Sequence, residues 1–526
     1  MLNWLKNSVF YQIYPTSFYD SNGDGIGDLC GIAQKVEYLK NLGIDAVWIN
    51  PIYKSPFKDG GYDISDYYEI DKKFGTMPDL ENLITVFHEN GIKVVLDLVI
   101  GHTSDKHKWF KKSATAKRNK YHDYYIWTEN LFQDYPGLIR GLYYRDGGYL
   151  PNYYASQPSL NFGFETTDNN NPWMMHYTDE RLRPLREEIL NMMRFYLDKG
   201  IDGFRVDMAG SLVKGGAIFG DIYDTSEKGL DGIRWLWKNI LGTLRREYKD
   251  KVYIAEWVLP QRSIGMCGFD MDFLTHDTIP FNGLYRNEKG CNLSDSEYYV
   301  RGYNYFSPEG KGNLKEFAKY TNFLYEQVGD KGMFSAPTTT HDEIRMPTNK
   351  SDDLIKTVFA FMLMLKHVPF IYYGDEIGIE HNFSVSKDGG GIRTGARTPM
   401  LWTEEKGRGF SVKKNTYLPI SKNKNISVAE QSRNKNSILN TVRALIKLKK
   451  QYQCLNADSE QNFVEYGYPG VFDRIYKDET IRVYVNPSDK TFEREFNFTK
   501  VLMKNNVEII KNKVKLNAQS FAILLK

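Results

Sequence analysis

A parallel (β/α)8 TIM barrel is the α/β fold that this sequence predicts, with a subdomain inserted after the third strand and an antiparallel β-domain at the C-terminus. Three observations carry the prediction. Short apolar, β-branched segments alternate with longer helical ones, the pattern of repeated βα units around a parallel sheet. After the third such strand the alternation stops, and residues 103–171 are rich in Tyr, Asn, Gly and Asp, too long a stretch for a plain loop. Beyond residue 452 the helical pattern gives way to short strands parted by turn residues.

Taken in order, the first strand is read at 9–15 (Val-Phe-Tyr-Gln-Ile-Tyr-Pro), with a helix at 31–42. The second spans 46–50, followed by a helix at 77–90. The third, at 93–99 (Lys-Val-Val-Leu-Asp-Leu-Val), is strongly β-branched and apolar. After the insertion come a helix at 181–199, a fourth strand ending on Asp207, and a helix at 230–248. Strands at 252–256 and 269–273, a helix at 314–328, a strand at 333–338, a helix at 355–365 and a strand at 368–373 complete the eight. A helix at 437–452 leads to strands at 463–466, 471–476, 481–485, 492–498 and 521–525. The expected domains are a barrel of 1–102 with 172–452, an insertion of 103–171, and a C-terminal β-sandwich of 453–526.

The 526 residues are 41% hydrophobic, enough for a large core. Basic residues number 69 and acidic ones 66, a near balance that gives no electrostatic case for a nucleic acid or an anionic membrane as partner. No apolar run approaches a bilayer span. Cys30, Cys267, Cys291 and Cys454 lack metal or redox spacing and read as reduced thiols. The N-terminus lacks the pattern of a signal peptide. The expectation is a soluble, cytoplasmic protein, monomeric or homodimeric.

The chemistry is concentrated at strand ends, where this fold builds its sites. In Gly203-Phe204-Arg205-Val206-Asp207 apolar residues alternate with Arg205 and Asp207, so the two polar side chains point the same way. Burying such a pair is costly without a task for it. The third strand runs through Asp97 to His102, the fifth ends at Glu256, and the seventh leads to Thr340-His341-Asp342. Three carboxylates from different strands, Asp207, Glu256 and Asp342, thus meet at one mouth.

These segments, in this order, resemble the four signature regions of the α-amylase superfamily, glycoside hydrolase family 13, and the resemblance spans essentially the whole chain. Gly61-Tyr62-Asp63, Gln157-Pro158-Ser159-Leu160-Asn161 and Ala396-Arg397-Thr398-Pro399-Met400 are most similar to the oligo-1,6-glucosidase and α-glucosidase branch. The resemblance implies a retaining, exo-acting α-glucosidase. It would remove terminal α-1,4- or α-1,6-linked glucose from short oligosaccharides through a covalent glucosyl-enzyme. Asp207 would be the nucleophile, Glu256 the general acid/base, and Asp342 the third acid, holding sugar hydroxyls. By the same resemblance Tyr62 stacks on the sugar, Asp63 and Arg397 match a pair that grips the terminal hydroxyls and closes the pocket, His102 and His341 hydrogen-bond the sugar, and Arg205 keeps Asp207 ionised. An endo-acting α-amylase, or a glucosyltransferase or phosphorylase of the superfamily, is the alternative, and a non-catalytic homologue the remote one. Gly101, Ser159 and Thr340 depart from the relatives' pattern without removing a catalytic group. Met208, following Asp207, leaves the linkage open, because Val there accompanies α-1,6 preference and Ala or Thr α-1,4.

Residues 20–28 (Asp-Ser-Asn-Gly-Asp-Gly-Ile-Gly-Asp) present oxygens at alternate positions, as a Ca²⁺ loop does, although the twelfth position is Gly31 instead of the bidentate Glu of an EF-hand. By resemblance Asp20, Asn22, Asp24, the Ile26 carbonyl and Asp28 would hold a structural Ca²⁺, with Mg²⁺ as the other candidate.

Overall fold

Eight parallel strands wall the centre of the protein: β1 (Phe10–Ile13), β2 (Ala46–Ile49), β3 (Lys93–Leu98), β4 (Gly203–Val206), β5 (Val252–Ala255), β6 (Met271–Phe273), β7 (Met333–Ser335) and β8 (Phe370–Tyr372). Their order is β7-β6-β5-β4-β3-β2-β1-β8. The ring closes where Val368 N–H reaches the Phe334 carbonyl at 3.4 Å and Thr338 N–H reaches that of Phe370 at 3.0 Å. The computed structural model describes residues 2–133, 135–216, 221–275, 279–285, 304–421, 423 and 426–526; Cys291 lies outside them, and Cys30, Cys267 and Cys454 are free thiols. No helix among the described residues is long and apolar enough to cross a membrane.

The helical layer follows from apolar spacing. In the helix Arg183–Asp198, the residues Leu185, Ile189, Met192, Met193 and Tyr196 are buried, one stripe at three- and four-residue intervals. The helix expected at 31–42 is two, Leu29–Gln34 and Val36–Leu42, broken at Lys35.

Inside the barrel, Phe10, Trp48, Val95, Ile254, Phe273 and Phe370 form an apolar floor. The Phe10 and Phe370 rings stack with centroids 4.4 Å apart, and Trp48 lies 5.5 Å from Phe273. Two residues further along their strands stand Gln12, Asn50, Asp97 and Glu256, and Arg205 joins them from β4. The two-residue period of a strand puts these on the same inward face, one level nearer the carboxyl ends. The sequence pattern thus stacks a polar layer directly on an aromatic one.

The insertion is tied back to the barrel by a bridge between His102 and Ser159, and a second between Tyr125 and Leu160 closes it on itself. Its centre is aromatic, with Phe110 packed on Tyr125, Trp127, Tyr143 and Tyr149.

At the C-terminus the strands are β9 (Glu460–Glu465), β10 (Gly470–Tyr476), β11 (Glu479–Asn486), β12 (Phe492–Glu495), β13 (Lys500–Ile510) and β14 (Lys513–Leu525). They are joined in one hydrogen-bonded network, β9-β10-β11-β14-β12 with β13 also on β14. Register shifts between Val501 and Met503 and between Asn505 and Val507 mark bulges, which bend a long pair of strands. Val471 on β10, Tyr484 on β11, Val507 on β13 and Val514 and Leu516 on β14 join their side chains in a buried apolar cluster of this sheet. Arg474, on β10, donates to the Met364 carbonyl at 2.6 Å and fastens the sheet to the barrel.

Candidate active site

Arg205 is 1% exposed, and its guanidinium serves three carboxylates. Nη1 lies 2.8 Å from Asp97 Oδ1 and 3.1 Å from Asp207 Oδ1, while Nη2 contacts Glu256 Oε1. The cation rests 4.8 Å over the Trp48 ring, on the aromatic floor. The second Glu256 oxygen accepts the Met208 N–H at 3.0 Å. Met208 has φ +48°, a left-handed conformation that a non-glycine residue holds only under constraint.

The charge of Arg205 favours an ionised Asp207, as expected, but it is outweighed. Burial, and then the charge of Glu256, push the Asp207 carboxyl well above the usual carboxylate range; Arg205 opposes them, and Asp97 and Asp342 add to the rise. One guanidinium divided among three acids gives each only part of its charge.

Asp342 forms the other pole. Its Oδ2 accepts from His341 Nε2, and its Oδ1 from both Arg393 Nη1 and Arg397 Nη2, all at 2.9 Å. Burial would raise this carboxyl, but His341 and the two arginines hold it well below the usual range. The His341 ring stacks on Tyr62, centroids 5.1 Å apart and planes 4° from parallel, and its Nδ1 accepts from Gln12 at 3.0 Å. Tyr62 donates its hydroxyl to Asp97 Oδ2 and accepts from Asn50, both at 2.8 Å. The run Asp97–Tyr62–His341 therefore joins the Arg205 cluster to Asp342 around one pocket.

Other expected residues stand differently. Asp63 is engaged within its own turn. It is fully buried, and its carboxylate accepts from Ser55 Oγ at 2.9 Å, Lys58 N–H at 3.0 Å and Asp59 N–H at 3.1 Å. Asp63 shapes the turn; Asp59 is what the turn presents. Asp59 Oδ1 pairs with Arg393 Nη2 at 3.1 Å, and its Oδ2 accepts from Gln157 at 2.8 Å. Sequence reasoning missed both Asp59 and Arg393. The available signals were an acid in the glycine turn just before Tyr62, and a second arginine four residues ahead of Arg397. Gly60, at φ +56°, permits the approach of Arg397, since a Cβ there would lie 2.7 Å from Arg397 Nη1.

His102 is kept neutral, burial pushing its imidazole down to about 4. Its Nε2–H donates to the Tyr62 carbonyl at 3.1 Å, and its Nδ1 accepts from Asn152 at 3.0 Å. Both ring nitrogens of His102 and of His341 are thus engaged with protein groups, where contacts to a sugar were expected.

The 20–28 loop is all oxygen in its donors, the chemistry a hard divalent cation takes. Asp20 accepts from the N–H groups of Gly23 and Gly25, and Asp28 from those of Ser21 and Gly31. Asn22 and Asp24 are exposed. No three His, Cys, Asp or Glu side chains among the described residues gather closely enough to hold a metal. An ion bound here requires Asn22 and Asp24 to turn in toward Asp20.

A parallel barrel whose rim carries two carboxylates on one arginine, and a third acid clamped by two more arginines, defines an enzyme built to split glycosidic bonds. The family model described as the alpha amylase catalytic domain matches residues 12–458. The chain belongs to the α-amylase family, glycoside hydrolase family 13, and is a glycoside hydrolase. It is similar to the oligo-1,6-glucosidase of Parageobacillus thermoglucosidasius (30% identical, over 93% of this chain and 91% of that protein). It is similar as well to that of Heyndrickxia coagulans (32% identical, over 96% of each). Its fold is like that of the trehalulose synthase MutB from Pseudomonas mesoacidophila MX-45, with TM-score 0.82, 25% identity and 99% of each chain covered.

Proposed function

We propose that the protein is a retaining, exo-acting α-glucosidase that releases terminal α-1,4- or α-1,6-linked glucose from short oligosaccharides. The observation that carries this reading is the Arg205 guanidinium touching Asp207 with one terminal nitrogen and Glu256 with the other. Two carboxyls sharing one guanidinium suit the close spacing of a retaining pair, about 5–5.5 Å, better than the wider gap that admits a water. Asp207 attacks the anomeric carbon while Glu256 protonates the departing glycosidic oxygen. Glu256, now ionised, takes a proton from the water that opens the glucosyl–Asp207 ester. Each step inverts the anomeric carbon, so the product is α-glucose. Asp342 and the arginines around it supply the hydroxyl grip, and the Asp59–Arg393–Asp342–Arg397 network closes the far end against a through-running chain.

The test is a panel of maltose, isomaltose, sucrose, trehalose and soluble starch, with products resolved by chromatography and by NMR. The expected result is α-glucose as first product, with a disaccharide trimmed faster than starch is cut internally. Faster internal cleavage, or β-glucose first, overturns the reading. A sucrose isomer exceeding free glucose would favour transfer over hydrolysis, the activity named for the similar trehalulose synthase.

The oxygen-rich loop is proposed as a structural Ca²⁺ site, with Mg²⁺ as the alternative, held by Asp20, Asn22, Asp24, the Ile26 carbonyl and Asp28. The donor chemistry supports it.

A further inference from the structure

Asp272, on β6, is fully buried and points away from the barrel interior, opposite to Met271 and Phe273, which line it. Its register partners in the wall are Ala255 on β5 and Phe334 on β7, so the position is set among apolar side chains. The carboxylate there collects donors from the chain immediately beyond Glu256. Oδ1 accepts from Trp257 N–H at 3.0 Å and Val258 N–H at 3.1 Å, and Oδ2 from Leu259 N–H at 3.2 Å and Ser263 Oγ at 2.6 Å. Its own strand adds Phe273 N–H at 2.8 Å.

Three consecutive N–H groups converge on one side chain only because Val258 adopts φ +66°. A β-branched residue is strained in that region, and such strain persists only where the surroundings hold it. Between Glu256, facing in, and Val258 the chain crosses from the inside of the wall to its outside. Asp272 is the anchor on the far side of that crossing. Burial pushes its carboxyl up to about 7 while these donors pull it back, so the group is kept against a substantial desolvation cost.

We propose that Asp272 is the positioning residue of Glu256: by pinning the 257–259 turn it sets where the acid/base carboxyl stands against the leaving oxygen. The inference rests on the reading of Glu256 as general acid/base. Asp272 itself does not touch the substrate.

The test compares two leaving groups. A sugar leaving group needs a proton from Glu256, whereas the fluoride of α-glucosyl fluoride departs as an anion and draws little on a general acid. In Asp272→Asn, kcat/KM on the best disaccharide is expected to fall about 10- to 100-fold, the scale of a sub-ångström to ångström misplacement. On the fluoride kcat/KM, which reports formation of the glucosyl-enzyme before Glu256 is needed as base, should stay close to wild type, and Asp272→Ala should separate the two substrates further. Asp270→Asn is the control. It breaks a buried acid just before the same strand, bonded to Tyr253 N–H at 2.9 Å and paired with Arg245 at 3.0 Å, and should lower Tm without separating the substrates. Equal losses on both substrates in Asp272→Asn, or no loss on either, overturn the proposal. Should both Asp272 variants fail to fold, Ser263→Ala removes one of the anchor's bonds and should show the same selectivity, a few-fold in size; a non-selective effect overturns it equally. Glu256→Gln separates the two levels of the argument. If its kcat/KM falls alike on both substrates, the acid/base reading of Glu256 falls and the positioning role with it.

Discussion

The backbone N–H of Met208 donates to Glu256 at 3.0 Å, tying the residue after Asp207 to the carboxyl across from it. The Glu256 carboxyl is therefore held both by a main-chain amide and by the Arg205 guanidinium. Substituting Arg205 removes the second tie and leaves the amide in place, which separates what Arg205 contributes from what the backbone supplies.

Arg205→Lys should cost both stability and rate. An ammonium is a point charge without the planar fork that reaches Asp97, Asp207 and Glu256 together. Breaking a buried ion cluster by removing one partner costs about 3–5 kcal/mol. Denaturant unfolding should show a loss of that order, with kcat reduced on every substrate. A variant with unchanged unfolding would mean that the cluster is not held by its arginine.

Asp207→Asn should abolish activity, on the order of 10⁴-fold or more for a lost nucleophile, and yet raise Tm at neutral pH. The Asp207 carboxyl is raised above its ordinary value by burial and by Glu256. A raised group stabilises the fold fully below its unfolded value and loses that contribution as pH climbs through the folded one. Above its unfolded value the carboxyl works against stability, whether it stays ionised or takes up a proton on folding, and asparagine relieves it. The gain should shrink as pH falls toward 4. Because attack needs the ionised form, the acid limb of kcat/KM in the wild type should lie above the usual carboxylate range. Thermal melts and rate profiles check both, and a lower Tm in the variant at pH 7 would contradict the argument.

The parts of this molecule that were legible in the sequence are those that local period encodes. Arg205 and Asp207 fall on one strand face whatever surrounds them, and the β-branched run at 93–99 is a strand in any context. Asp59 and Arg393 are 334 residues apart, and no local pattern announces that they meet. β13 carries Lys, Asn and Glu among its apolar residues and bulges twice, so its alternation is blurred. Asp272 misleads in another way: an acid at an outward strand position looks solvent-facing until the fold covers it.

Removing a divalent cation should lower Tm, with Ca²⁺ restoring it. The 20–28 loop is closed by N–H groups donated to Asp20 and Asp28, while the exposed Asn22 and Asp24 each accept one N–H, from Asp24 and Ile26. An ion that draws them in stabilises the folded state by mass action. A melt unmoved by chelator, after metal analysis shows the protein metal-free, would remove the site.

Asp63 and Asp59, four residues apart and both buried, should fail in opposite ways when changed. Asp63 spends its carboxylate on Ser55, Lys58 and Asp59, so Asp63→Ala leaves buried donors unpaired, each costing about 1–3 kcal/mol. Its main effect should be a fall in Tm. Asp59 holds Arg393, which in turn reaches Asp342, and Asp59→Asn keeps the shape while releasing the arginine. Its main effect should be a KM for disaccharides raised about tenfold or more, the scale of a lost charge-assisted hydrogen bond, with little change in Tm. Opening this end should also let longer chains pass, raising the ratio of maltooligosaccharide to disaccharide turnover. If Asp63→Ala instead raised KM with its melt intact, the hydroxyl grip expected of Asp63 at the closed end would be right and the Asp59–Arg393 bridge incidental.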